Sequence, residues 1–201
     1  MKLNAKELRD VGEKDIADKL KLIKRRPIYF ILENIYDTYN IGGLFRLADA
    51  LAIEKMYICG ESEIPPNSKI KKASIGTYKV VPWEYKKTAG EAIEELKSKF
   101  EARNTKRIQN SNSENSKLFR NSDFGSQISI IAIEQHPTSI PYQRANYSLP
   151  LALILGNESF GVTKETLKLA DKIVEISMWG INRSLNVIVS AAVVGYWIAN
   201  K

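Results

Sequence analysis

With 201 residues, 44% of them hydrophobic and 26% charged, the chain can bury one sizeable core and reads as one domain rather than two, at a formal net charge of +7. One cysteine, Cys59, and one histidine, His136, exclude an intrachain disulfide and a Cys/His zinc cluster, which favours chemistry without a metal. No stretch approaches the roughly 20 uninterrupted apolar residues that span a bilayer, and Met1 to Arg9 lacks the apolar core of a signal peptide, so a soluble cytoplasmic protein with no membrane partner is expected.

In chain order, residues 5–24 place Leu8, Val11, Ile16, Leu20 and Ile23 at three-, four- and five-residue spacing among charges, which predicts a surface helix ended by Pro27. Residues 1–26 therefore read as a basic helical extension of a domain spanning 27–201. Ile28 to Leu32 reads as a buried strand, Ile41 to Leu51 as a helix and Lys55 to Cys59 as a second strand, a strand-helix-strand unit. Tyr78 to Trp83 reads as a short strand closed by Pro82. Thr88 to Phe100 reads as a helix capped by Thr88.

Residues 103–127 are low in complexity and nearly free of apolar anchors, which predicts a mobile insertion that cannot offset its own ordering entropy. Strands resume at Ile128 to Ile133, Leu149 to Leu155 and Lys172 to Ile176, with helices predicted from Thr163 and over Leu185 to Ala199. Such near-continuous apolar strands imply an α/β fold, a parallel sheet covered by helices on both faces.

The charge is unevenly spread. Residues 1–26 hold nine Lys/Arg against five Asp/Glu, and residues 97–120 hold seven against two, while the remainder is slightly acidic. Two basic segments flanking a neutral core suit a protein that grips a polyanion with its periphery and does chemistry at its centre. Solvated lysine-rich faces are also common, so charge alone gives nucleic acid only a small preference.

Three polar insertions each follow an apolar strand: Asn34 to Arg46, Leu155-Gly-Asn-Glu-Ser-Phe-Gly161, and Ile176 to Val187. Strand ends are where open α/β sheets build ligand sites. Gly156 and Gly161 permit close backbone approach, and Asn157 and Glu158 supply an amide and a carboxylate. The turn lacks the three-glycine dinucleotide fingerprint, and Asn157 stands where a hydrolase elbow around Ser159 needs glycine, so neither of those readings fits. Asn40, at a strand-to-helix junction, is positioned to orient a guanidinium or phosphate, with Arg46 six residues on. Ser184 reads as a helix cap near Asn186.

The order Asn40...Arg46, Leu155-Gly-Asn-Glu...Gly161, Ile176-Ser-Met...Ser184-Leu-Asn-Val187 resembles the three signature motifs of the SpoU/TrmH family of SPOUT RNA 2'-O-ribose methyltransferases, over about Ile28 to Trp197. The resemblance implies a C-terminal trefoil knot, S-adenosylmethionine as methyl donor, and a homodimer with its sites at the interface. It assigns Arg46 to the ribose hydroxyl with Asn40 as its positioning partner, and Glu158, Ser184 and Asn186 to the remaining polar positions. It places the donor against Leu155, Gly156, Asn157, Ile176, Met178, Ser184 and Leu185. Ser177 departs from the proline common at its position.

Since a guanidinium stays protonated in proteins, Arg46 is expected to stabilise developing alkoxide charge and bind the adjacent phosphate rather than act as a base. The absence of a separate RNA-binding domain in the sequence tilts the expected substrate towards tRNA over rRNA. An inactive RNA-binding relative and a base methyltransferase of the same fold are the competing readings.

Overall fold

A computed structural model describes residues 2–10, 12, 16, 20–111 and 127–201. Its frame is a seven-stranded sheet, β1 (Arg26–Glu33), β2 (Ile53–Cys59), β3 (Trp83–Lys86), β4 (Ser129–Ile133), β5 (Ile140–Pro141), β6 (Leu151–Leu155) and β7 (Lys172–Glu175). The strands are all parallel, in the order β3-β2-β1-β6-β4-β7-β5. Helices α1 (Ala5–Asp10), α2 (Thr38–Ala50), α3 (Ser68–Ser74), α4 (Ala89–Ser111), α5 (Lys164–Leu167) and α6 (Val187–Ala199) complete it.

Strand periodicity explains the two layers of core. In β1, Ile28, Phe30 and Leu32 pack with Leu44, Phe45 and Val194 of α2 and α6, whereas Tyr29 and Ile31 pack with Ile93, Leu96 and Phe100 of α4. Both faces are covered, as the apolar strands require. Register runs unbroken across the centre, with Leu32 beside Leu155 and Leu155 beside Ile133, so β1, β6 and β4 end together.

Because every strand points the same way, all carboxyl ends lie on one edge. The chain leaves β1 towards β2 and β3, while β6, β4 and β7 lie on β1's other side. The crevice at that reversal lies between the segments following β1 and β6.

Several sequence expectations are corrected here. The N-terminal helix is interrupted: α1 ends at Asp10, Gly12 is not helical, and helix is present again at Ile16, Leu20 and Lys21; residues 11, 13–15 and 17–19 lie outside the described residues. The strand begins at Arg26, so Pro27 sits inside it rather than ending a helix.

Pro82 precedes a strand instead of closing one. Thr77–Lys79 form a 3-10 turn, and the Pro82 carbonyl accepts from the Met56 amide at 2.9 Å just before β3. A proline has no amide to donate, but its carbonyl still serves a ladder.

Thr88 caps α4 as expected, its hydroxyl accepting from Glu91 N at 3.1 Å. The helix then continues through Ser111, into the segment expected to be mobile. Residues 101–109 are rich in Glu, Ala, Lys, Arg and Gln, good helix formers that extend a helix without apolar anchors. Residues 112–126 of that expected insertion lie outside the described residues.

Candidate active site

The three polar segments meet at the carboxyl edge of the sheet around a cavity of about 750 Å³. Apolar side chains at three strand ends, Ile133, Leu155 and Ile176, form part of its wall, with Met178 and Leu185 from the final loop. Such a volume is in the range of a small-molecule site, and here polar side chains from all three segments, Asn40, Glu158 and Asn186 among them, outnumber the apolar ones.

The loop after β6 is built on glycine for a specific reason. A Cβ at Gly156 would stand 2.3 Å from both Gly161 C and Val162 N, so no side chain fits. The close approach lets Asn157 and Gly161 exchange backbone hydrogen bonds of 3.0 and 2.9 Å, closing a compact ring. Asn157 Oδ1 accepts from the amides of Ser159 and Phe160 at 2.8 and 3.0 Å, and its Nδ2 donates to Asn34 O at 2.6 Å. One buried amide thereby shapes the loop and ties it to the end of β1.

Glu158 makes the second tie. Its Oε1 accepts from Asp37 N at 3.1 Å and Asn40 Nδ2 at 2.9 Å, and its Oε2 accepts from Tyr36 N at 3.2 Å. Partial burial pushes this carboxyl up, but the Asn40 amide and the backbone amides, including those of Tyr36 and Asp37, outweigh it and hold the group below the ordinary carboxylate range. An anion at the start of α2 is also favourably placed against the helix dipole.

Asn40 completes a relay. Its Oδ1 accepts from Asn186 Nδ2 at 2.9 Å, and Asn186 Oδ1 accepts in turn from Ile188 N at 2.8 Å, capping α6. The cap of the last helix is therefore Asn186, not Ser184, and the helix begins at Val187 rather than Leu185. An asparagine caps as well as a serine, and here Asn186 is the residue whose side chain reaches the first-turn amide of Ile188. Ser184 is exposed in the loop, its amide donating to Asn182 Oδ1 at 3.2 Å.

Of the residues singled out in sequence, Asn40, Leu155, Gly156, Asn157, Glu158, Ile176, Met178, Ser184, Leu185 and Asn186 all border this one cavity. Arg46 does not. It is exposed on α2 with no hydrogen-bond or ionic partner among the described residues, and Asn40 is engaged with Glu158 and Asn186 rather than with its guanidinium. Six residues of helix turn through roughly 600°, leaving Arg46 about 120° around the axis from Asn40.

Residues 27–196 match the SpoU rRNA Methylase family. The chain belongs to the SpoU family. It is 24% identical over 179 residues to the tRNA (guanosine(18)-2'-O)-methyltransferase of Escherichia coli strain K12, covering 87% of this chain and 64% of that protein. It is 26% identical over 179 residues to the 23S rRNA (guanosine-2'-O-)-methyltransferase RlmB of Neisseria meningitidis, covering 89% and 60%. The chain thus spans a little under two thirds of these curated relatives. Among solved structures, the SpoU methyltransferase AviRb of Streptomyces viridochromogenes in complex with the cofactor AdoMet shares the fold at a TM-score of 0.68 and 20% identity, covering 90% of this chain and 62% of that one. The TrmH/SpoU tRNA modifying enzyme of A. aeolicus matches at a TM-score of 0.64 and 20% identity, covering 94% and 82%.

Two acids in this SpoU-family cavity escaped sequence reasoning, Glu134 and Glu175. Glu134 follows Ile133 directly, so the strand-end rule that drew attention to Glu158 applied equally to it. Its Oε2 accepts from Val162 N at 2.8 Å, pinning the far side of the glycine loop. Glu175 ends β7, with Oε2 accepting from the Ser139 hydroxyl at 2.6 Å. A buried acid behind the loop, Glu33, accepts from Thr163 N at 2.8 Å and from the hydroxyls of Thr163 and Thr166 at 2.9 and 2.5 Å. Among the described residues no group of three or more His, Cys, Asp or Glu is placed to hold a metal ion, and no helix is long and apolar enough to cross a membrane.

Proposed function

We propose that the chain is an S-adenosylmethionine-dependent RNA 2'-O-ribose methyltransferase, with tRNA favoured over rRNA as substrate. The observation that carries this reading is the hydrogen-bonded relay Glu158, Asn40, Asn186, which joins three signature segments at the wall of one cavity. Relatives named for guanosine 2'-O-methylation of tRNA and rRNA support it.

The cavity's chemistry fits the donor. Asp37, Glu134, Glu158 and Glu175 line it against a single cation, Arg183, an acid-rich wall suited to a ligand with a cationic sulfonium and ammonium. Ile133, Leu155, Ile176, Met178 and Leu185 supply an apolar bed for its adenine. When bound, the donor supplies an electrophilic methyl group on positively charged sulfur. The protein's own part is positioning: the relay fixes the start of α2 relative to the last loop, so a ribose and a donor held there keep one relative orientation. Ser184, exposed in that loop, contributes a hydroxyl to the same wall.

Arg46 lies outside its own chain's cavity, so a second copy would present it to the ribose. There it would hold a neighbouring phosphate and stabilise alkoxide charge through its planar fork. A homodimer is supported by exposed apolar surface: Trp179 and Ile181 are 93% and 103% exposed beside the cavity loop, and α6 leaves Val189 and Tyr196 uncovered. The knot belongs, on this reading, to the loops after β6 and β7. The basic residues of segments 1–26 and 97–120 hold the RNA, and a cytoplasmic location follows from that substrate.

The test is transfer of labelled methyl from S-adenosylmethionine to total tRNA and, separately, to rRNA, scoring alkali-resistant dinucleotides. Label in alkali-resistant product from one pool identifies ribose methylation and its substrate class. Failure to bind the donor refutes the reading. Neutralising Lys97, Lys99 and Arg103 should weaken RNA binding and flatten its salt dependence while donor affinity stays constant.

A further inference from the structure

Next to the main cavity lies a second groove of about 500 Å³ between the start of α2 and the segment leading into α3. The two share Tyr36 and Asp37, so they are continuous. Tyr36 and Tyr39 line the new groove at 50% and 52% exposure, and neither belongs to the hydrophobic core. Tyr36 precedes the Asp37 cap of α2 and Tyr39 lies in its first turn, and both line this one groove. The Tyr36 ring is held by its hydroxyl, which donates to Glu61 Oε2 at 2.9 Å.

The opposite wall is polar. It includes Glu63, Asn67 and Lys69, and among the described residues neither the Lys69 ammonium nor the Tyr39 hydroxyl has a hydrogen-bond partner. Two exposed rings facing donors and an acceptor form a stacking platform with groups able to meet a base edge. That is how proteins take unstacked bases of single-stranded RNA. A phosphate site would not be lined by Asp37 and Glu63, and a purely apolar partner would leave Lys69 desolvated and unpaired.

We propose that this groove binds an unpaired RNA base, stacked on Tyr39 and Tyr36, belonging to or adjoining the nucleotide whose ribose occupies the main cavity. The inference rests on the methyltransferase reading and deepens it. The groove sets which nucleotides are accepted: a base must be splayed from its stack to reach it, so unpaired loop positions are selected over helical ones.

The experiment compares wild type with Tyr39→Ala, Tyr39→Phe and Lys69→Ala in the full chain, using the RNA pool that accepts methyl and, independently of turnover, equilibrium binding of tRNA. Stacking lost at one base corresponds to about 5- to 150-fold weaker RNA binding in Tyr39→Ala, read as KM and as dissociation constant. Tyr39→Phe restores binding to within about twofold, because the ring rather than the hydroxyl stacks. Donor affinity is unchanged in all variants. The salt slope is unchanged in Tyr39→Ala, since no charge is removed.

Unaltered RNA affinity in Tyr39→Ala overturns the proposal. So does an altered oligomeric state in that variant, which would assign Tyr39 to a subunit contact. Retained Tyr39-dependent RNA binding without methyl transfer by the wild type would overturn the methyltransferase reading alone.

Discussion

Gly156→Ala is the most direct probe of the loop that shapes the cavity. The added methyl would lie 2.3 Å from Gly161 C and Val162 N and 2.6 Å from Gly161 O, where ordinary contact begins at 3.4 Å. The 161–162 peptide must therefore retreat by about 1 Å. It is pinned by the paired bonds between Asn157 and Gly161, at 3.0 and 2.9 Å, and by Val162 N on Glu134 at 2.8 Å. Losing two or three such bonds, at a net value of about 1 kcal/mol each, costs about 2–3 kcal/mol. If that cost falls on the binding-competent loop, S-adenosylmethionine affinity falls about 30- to 150-fold by calorimetry. Gly180→Ala is the matched control, because no atom lies within 4 Å of its new methyl. Donor affinity within threefold of wild type in Gly156→Ala, with urea stability also unchanged, would refute the steric argument.

Three further outcomes are expected. Arg46→Lys should leave the urea midpoint within experimental error, since the side chain is exposed and unpartnered among the described residues, but should lower methyl transfer by about two orders of magnitude, because a point charge does not reproduce a planar fork; near-normal turnover would remove Arg46 from the mechanism. Asn40→Asp sets a carboxylate where Asn40 Nδ2 now donates to Glu158 at 2.9 Å, so two acceptors would face one another; stability should fall by about 1–3 kcal/mol at pH 7 and recover on mild acidification, measured by urea unfolding. Glu158 is held below the ordinary carboxylate range, so its share of stability is complete above the unfolded value of about 4.3 and is lost only as pH falls through the lower folded value. Donor affinity should accordingly show no Glu158-dependent loss between pH 7 and pH 5, and a wild-type loss there that Glu158→Gln abolishes would contradict this.

The apolar runs placed the central strands because those strands are buried on both faces and have no polar alternation to confuse the pattern. Edges were less legible. Trp83-Glu-Tyr-Lys86 is half-exposed, so the apolar run before Pro82 draws the predicted strand to Tyr78 to Trp83, ahead of the observed one. Two-residue β5 and the polar helix α3 carry too little pattern to be seen at all. At the site, the residues found lie in the three polar segments that follow apolar runs. Glu134 follows Ile133 directly but has no glycine or asparagine beside it to signal a turn, and Glu175 lies inside the run Lys172 to Ile176 that reads as a strand. The bonding partner of Asn40 was illegible for another reason: Glu158 and Asn186 are 118 and 146 residues away, and local spacing carries no information about such distances.

The chemistry of the relay explains why two of its members are amides. Asn40 must donate to a carboxylate on one side and accept from Asn186 on the other, and Asn186 must donate to Asn40 while accepting from a helix amide. Only a group carrying both a donor and an acceptor can occupy either link; Asp lacks the donor and Lys the acceptor. The single ionised member, Glu158, sits where three donors converge, so its charge is stabilised by hydrogen bonds rather than by a cation. That leaves the relay itself without a positive charge at the cavity wall, so it contributes no repulsion towards a cationic ligand. Arg46 stands on a different face of α2 from Asn40, exposed and outside the cavity, so its charge adds nothing to the relay either.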